Sequence, residues 1–473
     1  MSRFLFRQGR WCPAGLRDLH PAAIGILFLC LVFGYGSALV GNVVAERPVL
    51  LMGVPLLGIL VITYMVNPSA LAVALILSRA ALNPLFEEAR FASFGGLGGL
   101  VNVALIALAI TLCLRNPQRI PKQIWWAWLP FIACQAIACA YAPDKVAAIR
   151  TLLGHFATFA VLLIAFLLAD SRAAFVSLAK ALAASAIPVF MIVGWSVISG
   201  ATSYQLEGME TVSNRYSAPF THPNILAFYC LTFVVLFFYL LKSKAFVPGN
   251  AGRVALWVGL VGLFVVLLLT KTRSSWLICV LIFFSFGLLF ERRYLIYLLL
   301  AGISAFAVPE VRDRLADLGQ GNEVVQYAKL NSFAWRKLIW QEGLEWMEPA
   351  RYLLGYGVNS FKEHSPLFFR LSGGAKFGAH NIWVQLFFET GVLGLAAFSW
   401  SLFSIGRLAI GRRSQDPIAS FALVALLSGF ALAGISDNMM DYLVSNQYLW
   451  FVVGLLLSLS AQAAPRSKDN DRQ

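Results

Sequence analysis

The chain has 473 residues, of which 59% are hydrophobic and only 13% charged, and its mean hydropathy is +0.74. Soluble domains carry about a quarter charged residues, so a water-facing surface of this size is excluded and long apolar runs belong in a bilayer. The net charge of +14 does not point to nucleic acid, because Lys and Arg sit in short clusters between apolar runs and not along one soluble face. The composition therefore predicts an all-α, polytopic transmembrane helix bundle.

In chain order, Arg3, Arg7, Arg10 and Arg17 precede an apolar stretch beginning near Ala22. A signal peptide has that order too, but the stretch is long and many similar ones follow, so it is read as a retained span. Spans are expected at 22–41, 48–66, 69–83, 98–114, 124–141, 148–169, 175–199, 224–241, 252–270, 275–290, 294–308, 381–402, 418–434 and 444–461. The third, tenth and eleventh are short, so the number is 12–14. With both termini cytoplasmic, the inner segments carry about eighteen Lys and Arg and the short outer ones about six, as the positive-inside rule requires. Six of the seven cysteines lie in or beside apolar runs and none forms a CxxC pair, so they read as small packing residues.

Residues 309–379 break the pattern of short loops, being polar, mixed in charge and external in this topology. Phe333 to Trp346 has amphipathic helical spacing and suits either the membrane surface or a fold over the bundle. The chain is read as one transmembrane domain, 1–473, with this large periplasmic loop inserted and a cytoplasmic tail at 463–473.

Four external clusters carry the candidate chemistry. Residues 214–224 contain Arg215, which is either an interfacial snorkelling side chain or a donor fork for phosphate, and His222, read as a helix cap more than a ligand. The turn at 270–276 puts Lys271 and Arg273 among four hydroxyls before a helix, a setting that suits an anion. Residues 378–394 hold His380, whose imidazole suits a general base although lone histidines are more often structural. Asn381 follows it, and Glu389 lies deeper, where a carboxyl needs a partner. Asp437, Asn438 and Asp441 form the fourth cluster, with either aspartate a partner for an arginine or part of a solvated turn. No P-loop, HExxH or dinucleotide fingerprint occurs.

Four segments together resemble the O-antigen ligase and surface-polysaccharide polymerase superfamily: RYSAPFTHPNILA at 215–227, TKTRSSWL at 270–277, WRKLIWQEGLEWMEPARYLLGYGVNSF at 335–361 and AHNIWVQLFFETGVLGL at 379–395. The resemblance spans roughly residues 200–400. It implies a metal-independent glycosyltransferase of the bacterial inner membrane with no cofactor. The implied donor is a glycan on undecaprenyl diphosphate at the periplasmic face, and the implied acceptor is a hydroxyl of another glycan or of lipid A–core. Membrane lipids are its only other expected partners, and no nucleic acid is involved. The resemblance further implies that Arg215 and Arg273, with Lys271 and Arg336, hold the diphosphate and that His380 is the general base, supported by Glu389, Asn381 and His222. The expected outcome is inversion at the sugar. Arg336 is the weaker assignment, because many relatives have a Gly-Arg pair before the tryptophan where this chain has Phe333 and Ala334. The competing class is a lipid-linked glycan flippase, which would carry polar residues at mid-bilayer and internal repeats; a scaffold without chemistry is the third. Ligase and polymerase share these motifs and are not separated by them.

Overall fold

The computed structural model describes residues 49–88, 90–91, 95–200, 215–243, 246, 248–316, 332–411 and 413–462. The span expected at 22–41, the tail at 463–473, residue 48 of the second span and residues 317–331 of the long loop lie outside the described residues. Helices α1 to α18 run Val49–Val66, Pro68–Ser78, Asn83–Glu88, Leu97–Arg115, Lys122–Ala140, Lys145–Leu168, Arg172–Ala184, Ala186–Ser199, Pro223–Lys242, Asn250–Leu269, Arg273–Leu289, Arg293–Phe306, Pro309–Ala316, Ser332–Trp346, Ser360–Phe368, Ile382–Ile410, Pro417–Ser436 and Leu443–Gln462. One two-residue antiparallel pairing, Arg90–Phe91 with Gly95–Gly96, interrupts the helical order.

The protein is a polytopic helical membrane bundle. Among the described residues, eight stretches are long and apolar enough to cross a bilayer: α4, α5, α6, α7 with α8, α9, α10, α16 and α17. Shorter apolar helices are α2, α11, α12 and the first 17 residues of α18. The three segments expected to be short are so, with α2 at 11 residues, α11 at 17 and α12 at 14. The span expected at 175–199 is divided between α7 and α8. Pro188 lies in the first turn of α8, where its missing N–H removes the donor that would have continued α7.

Helix starts follow local chemistry. Asn67, Asp144, Ser171, Asn381 and Asp416 each accept backbone N–H groups at an N-cap, satisfying donors that have no intrahelical partner. Pro68, Pro223 and Pro417 occupy first-turn positions, where a fixed φ and an absent N–H cost little. Inside α5, Pro130 leaves the Trp126 carbonyl without its helical donor. Trp400 Nε1 of α16 fills that place at 3.0 Å, and Ser401 Oγ bonds the next carbonyl, Ala127 O, at 2.5 Å. In hydrocarbon an exposed carbonyl is costly, so this kink is stitched by its neighbour.

Helix α9 is the axis of the bundle, with every side chain from Pro223 to Leu240 buried. It is apolar all round, as a helix enclosed by others must be. Helices α6 and α18 pack closely against each other, as do α5 and α16. At the C-terminal end of α9, Lys242 pairs with Glu291 at 2.7 Å and Tyr239 Oη donates to Asp416 at 3.1 Å. Its N-terminal end carries a second polar layer. Twenty residues of helix separate the two layers by about 30 Å, one hydrocarbon thickness.

The described residues 332–379 pack against α16. Ile339, Met347, Phe361, Phe369 and Ala379 make a small core with Phe388 of α16. Helix α16 is broken there: Gly391 has φ 63 and ψ −164. The backbone groups freed at the break pair with the segment 352–357. Tyr356 N donates to Phe388 O at 3.0 Å, Gly357 N to Glu389 O at 2.8 Å, and Val392 N to Tyr352 O at 2.8 Å. The break and its patch thus hold the N-terminal half of α16, headed by His380, against the segment 332–379, here called the cap.

Candidate functional site

The polar layer at the N-terminal end of α9 gathers residues from five separate parts of the chain around Asp437. This aspartate caps the C-terminal end of α17 and is 1% exposed. Its Oδ1 lies 3.1 Å from His380 Nδ1 and accepts Asn438 N–H at 2.9 Å. Its Oδ2 accepts from Tyr442 Oη at 2.5 Å and from Asn224 Nδ2. Burial opposes its charge, but the His380 contact and the charge of Arg336 hold its carboxyl well below the usual range. A carboxylate can only accept, so His380 presents Nδ1–H to it and keeps the lone pair on Nε2. The histidine side chain is 35% exposed against 2% for Asp437, so the imidazole reaches the surface while its partner does not. His380 has φ 49, a left-handed turn that lifts it out of line before Asn381 caps α16, the Asn381 Oδ1 accepting from Trp383 N at 2.9 Å. Trp335 of α14 stands edge-on to the imidazole with centroids 5.9 Å apart.

A second centre adjoins the first. Arg215 donates Nε–H to Thr270 O at 2.8 Å and its terminal nitrogen to Asn224 Oδ1 at 2.8 Å and Thr272 Oγ1 at 2.9 Å. Thr272 Oγ1 also donates to Asn224 Oδ1 at 3.1 Å. Lys271, with φ 50, makes the turn beside Thr272, and Arg273 opens α11 immediately after it. Asn224 therefore links the two centres in one run: Arg215, Asn224, Asp437, His380.

His222 is the N-cap of α9, its Nδ1 accepting Asn224 N–H at 3.0 Å, and its ring lies over Tyr442 with centroids 6.1 Å apart. Burial pushes its pKa down to about 4, with Arg215, His380 and Arg336 helping and Asp437 opposing. A neutral ring is what an accepting Nδ1 requires. Arg336, half-buried on α14, contributes its charge to Asp437 and His222. Glu389 stands apart, at the break in α16, 4% exposed. Its carboxyl lies against the backbone amides of Asn359 and Phe361 and the side chain of Gln385.

Residues 258–399 match the O-antigen ligase family. The match takes in Lys271, Arg273, Arg336, His380, Asn381 and Glu389, and it ends before Asp437 and begins after Arg215 and Asn224. No curated protein matches the chain. The chain is thus a helical membrane protein whose segment 258–399 is similar to the O-antigen ligase family. The sequence had set Asp437 beside an arginine or in a solvated turn; its direct ionic partner among the described residues is His380. Thr272 is among the hydroxyls that the sequence sets beside Lys271 and Arg273, whereas Tyr442 carries no signal there beyond lying near charged residues. Asp437 was findable as an acidic residue on the same predicted face as His380.

Proposed function

We propose that the protein transfers a glycan from an undecaprenyl-diphosphate carrier to an acceptor hydroxyl at the periplasmic face of a bacterial inner membrane. The observation that carries this reading is the unbroken hydrogen-bonded run from Arg215 through Asn224 and Asp437 to His380. Its cationic end suits a diphosphate and its imidazole end suits a hydroxyl. The acceptor O–H gives its proton to His380 Nε2 as the acceptor oxygen forms a bond to the anomeric carbon. The bond from that carbon to the diphosphate oxygen breaks, and its electron pair leaves on the undecaprenyl diphosphate. Arg215, Arg273, Lys271 and Arg336 offset the charge that develops there. Asp437 orients the imidazole and stabilises its protonated form. Direct displacement inverts the sugar. Cations anchored in the structure before substrate arrives need little reorganisation during transfer, which is where such sites gain most of their rate.

The acceptor is lipid A–core if the protein is a ligase and a second lipid-linked glycan if it is a polymerase. The test is complementation with His380→Ala, Arg215→Ala and Arg273→Ala at matched membrane levels. Each should abolish or strongly reduce surface glycan, His380→Ala by about 10²–10⁴ in rate; normal glycan in all three refutes the proposal. In a deletion strain, single repeats still attached to lipid A–core mark a polymerase, and accumulated lipid-linked polymer with none attached marks a ligase.

A further inference from the structure

Asn224 is 6% exposed and faces two opposite charges at once. Its Oδ1 accepts from the Arg215 guanidinium and from Thr272, and its Nδ2 donates to the Asp437 carboxylate. Its own N–H is taken by His222 and its place is fixed by Pro223 at the start of α9. A side chain here must accept on one side and donate on the other. Among short side chains a carboxamide meets both demands with a rigid group.

The alternative to such a bridge is contact between guanidinium and carboxylate. A buried ion pair of that kind would be tight and bidentate, and each partner would neutralise the other. Arg215 would then have less charge to offer a diphosphate, and Asp437 less to offer an imidazolium. An amide between them satisfies both groups without cancelling either.

We propose that Asn224 is a positioning residue that both couples and insulates the two halves of the site, holding Arg215 for the diphosphate and Asp437 for His380. The inference rests on the roles given to Arg215 and His380 under the proposed function. Other groups face the same centre: Arg336 from α14, His222 before α9, and Asp441 and Tyr442 from the turn before α18. None of them touches both Arg215 and Asp437 in the bonds described above.

Two variants separate this from a structural role, because they move the pH profile in opposite directions. Asn224→Asp adds negative charge beside Asp437 and pairs Arg215. Protonated His380 is then favoured, so the acid limb of transfer moves to higher pH by about one unit. Asn224→Ala removes the insulator and lets Arg215 approach Asp437. The carboxylate is offset, protonated His380 is less favoured, and the acid limb moves to lower pH. Both weaken binding of geranylgeranyl diphosphate, used as the probe, by about tenfold. The full chain in proteoliposomes, with a synthetic polyprenyl-diphosphate-linked oligosaccharide as donor, reads both quantities. A variant that is folded, with wild-type probe affinity and a wild-type acid limb, overturns the inference; if Asn224→Asp is not recovered, Asn224→Ala alone decides it. His380→Ala run in parallel tells the two ideas apart. Transfer retained there defeats the parent reading, whereas loss of transfer with unshifted Asn224 variants defeats only the role of Asn224.

Discussion

At the scale of single residues, Asp437 and His222 show how one buried carboxylate sets the state of its surroundings. Asp437→Asn keeps the shape of the side chain but removes the charge that selects Nδ1–H on His380. We expect a drop in transfer rate of about 10²–10⁴ with membrane levels unchanged. The acid limb of the pH profile should move to lower pH, because a neutral neighbour no longer favours the imidazolium. A reduced rate with an unmoved limb would make Asp437 a structural cap alone. His222 supplies a different pH signal. Its folded pKa is pushed down to about 4 against 6.5 unfolded, so the native state resists its protonation. The stability tied to its neutral form is present above about pH 6.5 and is lost as pH falls from there toward 4. His222→Asn retains an N-cap acceptor and removes the titration. The difference in thermal midpoint between pH 7.5 and pH 4.5 in detergent should therefore shrink in the variant; an equal difference would remove His222 as the source.

At the scale of elements, the break in α16 is where the fold and the site meet. Gly391 has φ 63, and a Cβ there would lie 2.3 Å from Leu353 C; Gly355 has φ 70, and its Cβ would lie 2.4 Å from Glu389 C. The two backbones approach too closely for any side chain, and both conformations favour glycine. Gly391→Ala or Gly355→Ala should cost about 2 kcal/mol or more. Each should also loosen the cap, read as faster proteolysis within 332–379. Resistance equal to wild type would mean that the paired backbones can separate without loss. This element also marks how far the sequence was legible. By sequence alone the Gly-x-x-Gly step at 391–394 suits close helix packing. The structure makes Gly391 a break whose exposed amides and carbonyls are taken up by residues 352–357, some 35 positions earlier. Periodicity reports which face of a helix is apolar; it carries no information about a distant strand of backbone that completes hydrogen bonds. The helix at Ser332–Trp346 was legible for the converse reason, since its apolar spacing is local. Arg215 and His380 were legible as charged residues at span ends, whereas Asn224 was not, because its importance lies in what stands on either side of it.

At the scale of the whole molecule, the charged side chains collect in two layers at opposite ends of α9. The layer at the C-terminal end of α9 holds Lys242, Glu291 and Arg293, where Lys242 and Arg293 overcome burial to keep the Glu291 carboxyl below its usual range. The opposite layer holds Arg215, His380 and Asp437. The sequence placed the first group inside and the second outside by counting basic residues along alternating spans. The structure brings Arg215 and His380 together through Asn224 and Asp437, which is the arrangement that alternation requires of residues assigned to one face. Arg407 and Arg413 lie at the far end of α16 from His380, and because basic loops are retained in the cytoplasm we propose that the His380 end is external. Cysteines introduced at Ala375 in the cap and at Ser414 between α16 and α17 test this directly, since both positions are exposed. Replacing Cys12 by serine leaves native thiols that are buried or half-buried wherever they are described. A membrane-impermeant maleimide should label Ala375→Cys in cells whose outer membrane alone is opened, and Ser414→Cys only after the inner membrane is permeabilised. The reverse pattern would put the site in the cytoplasm, where an acceptor on the outer leaflet is out of reach. Equal labelling of the two would mean that the chain crosses the bilayer an even number of times between them, contrary to the single crossing by α16.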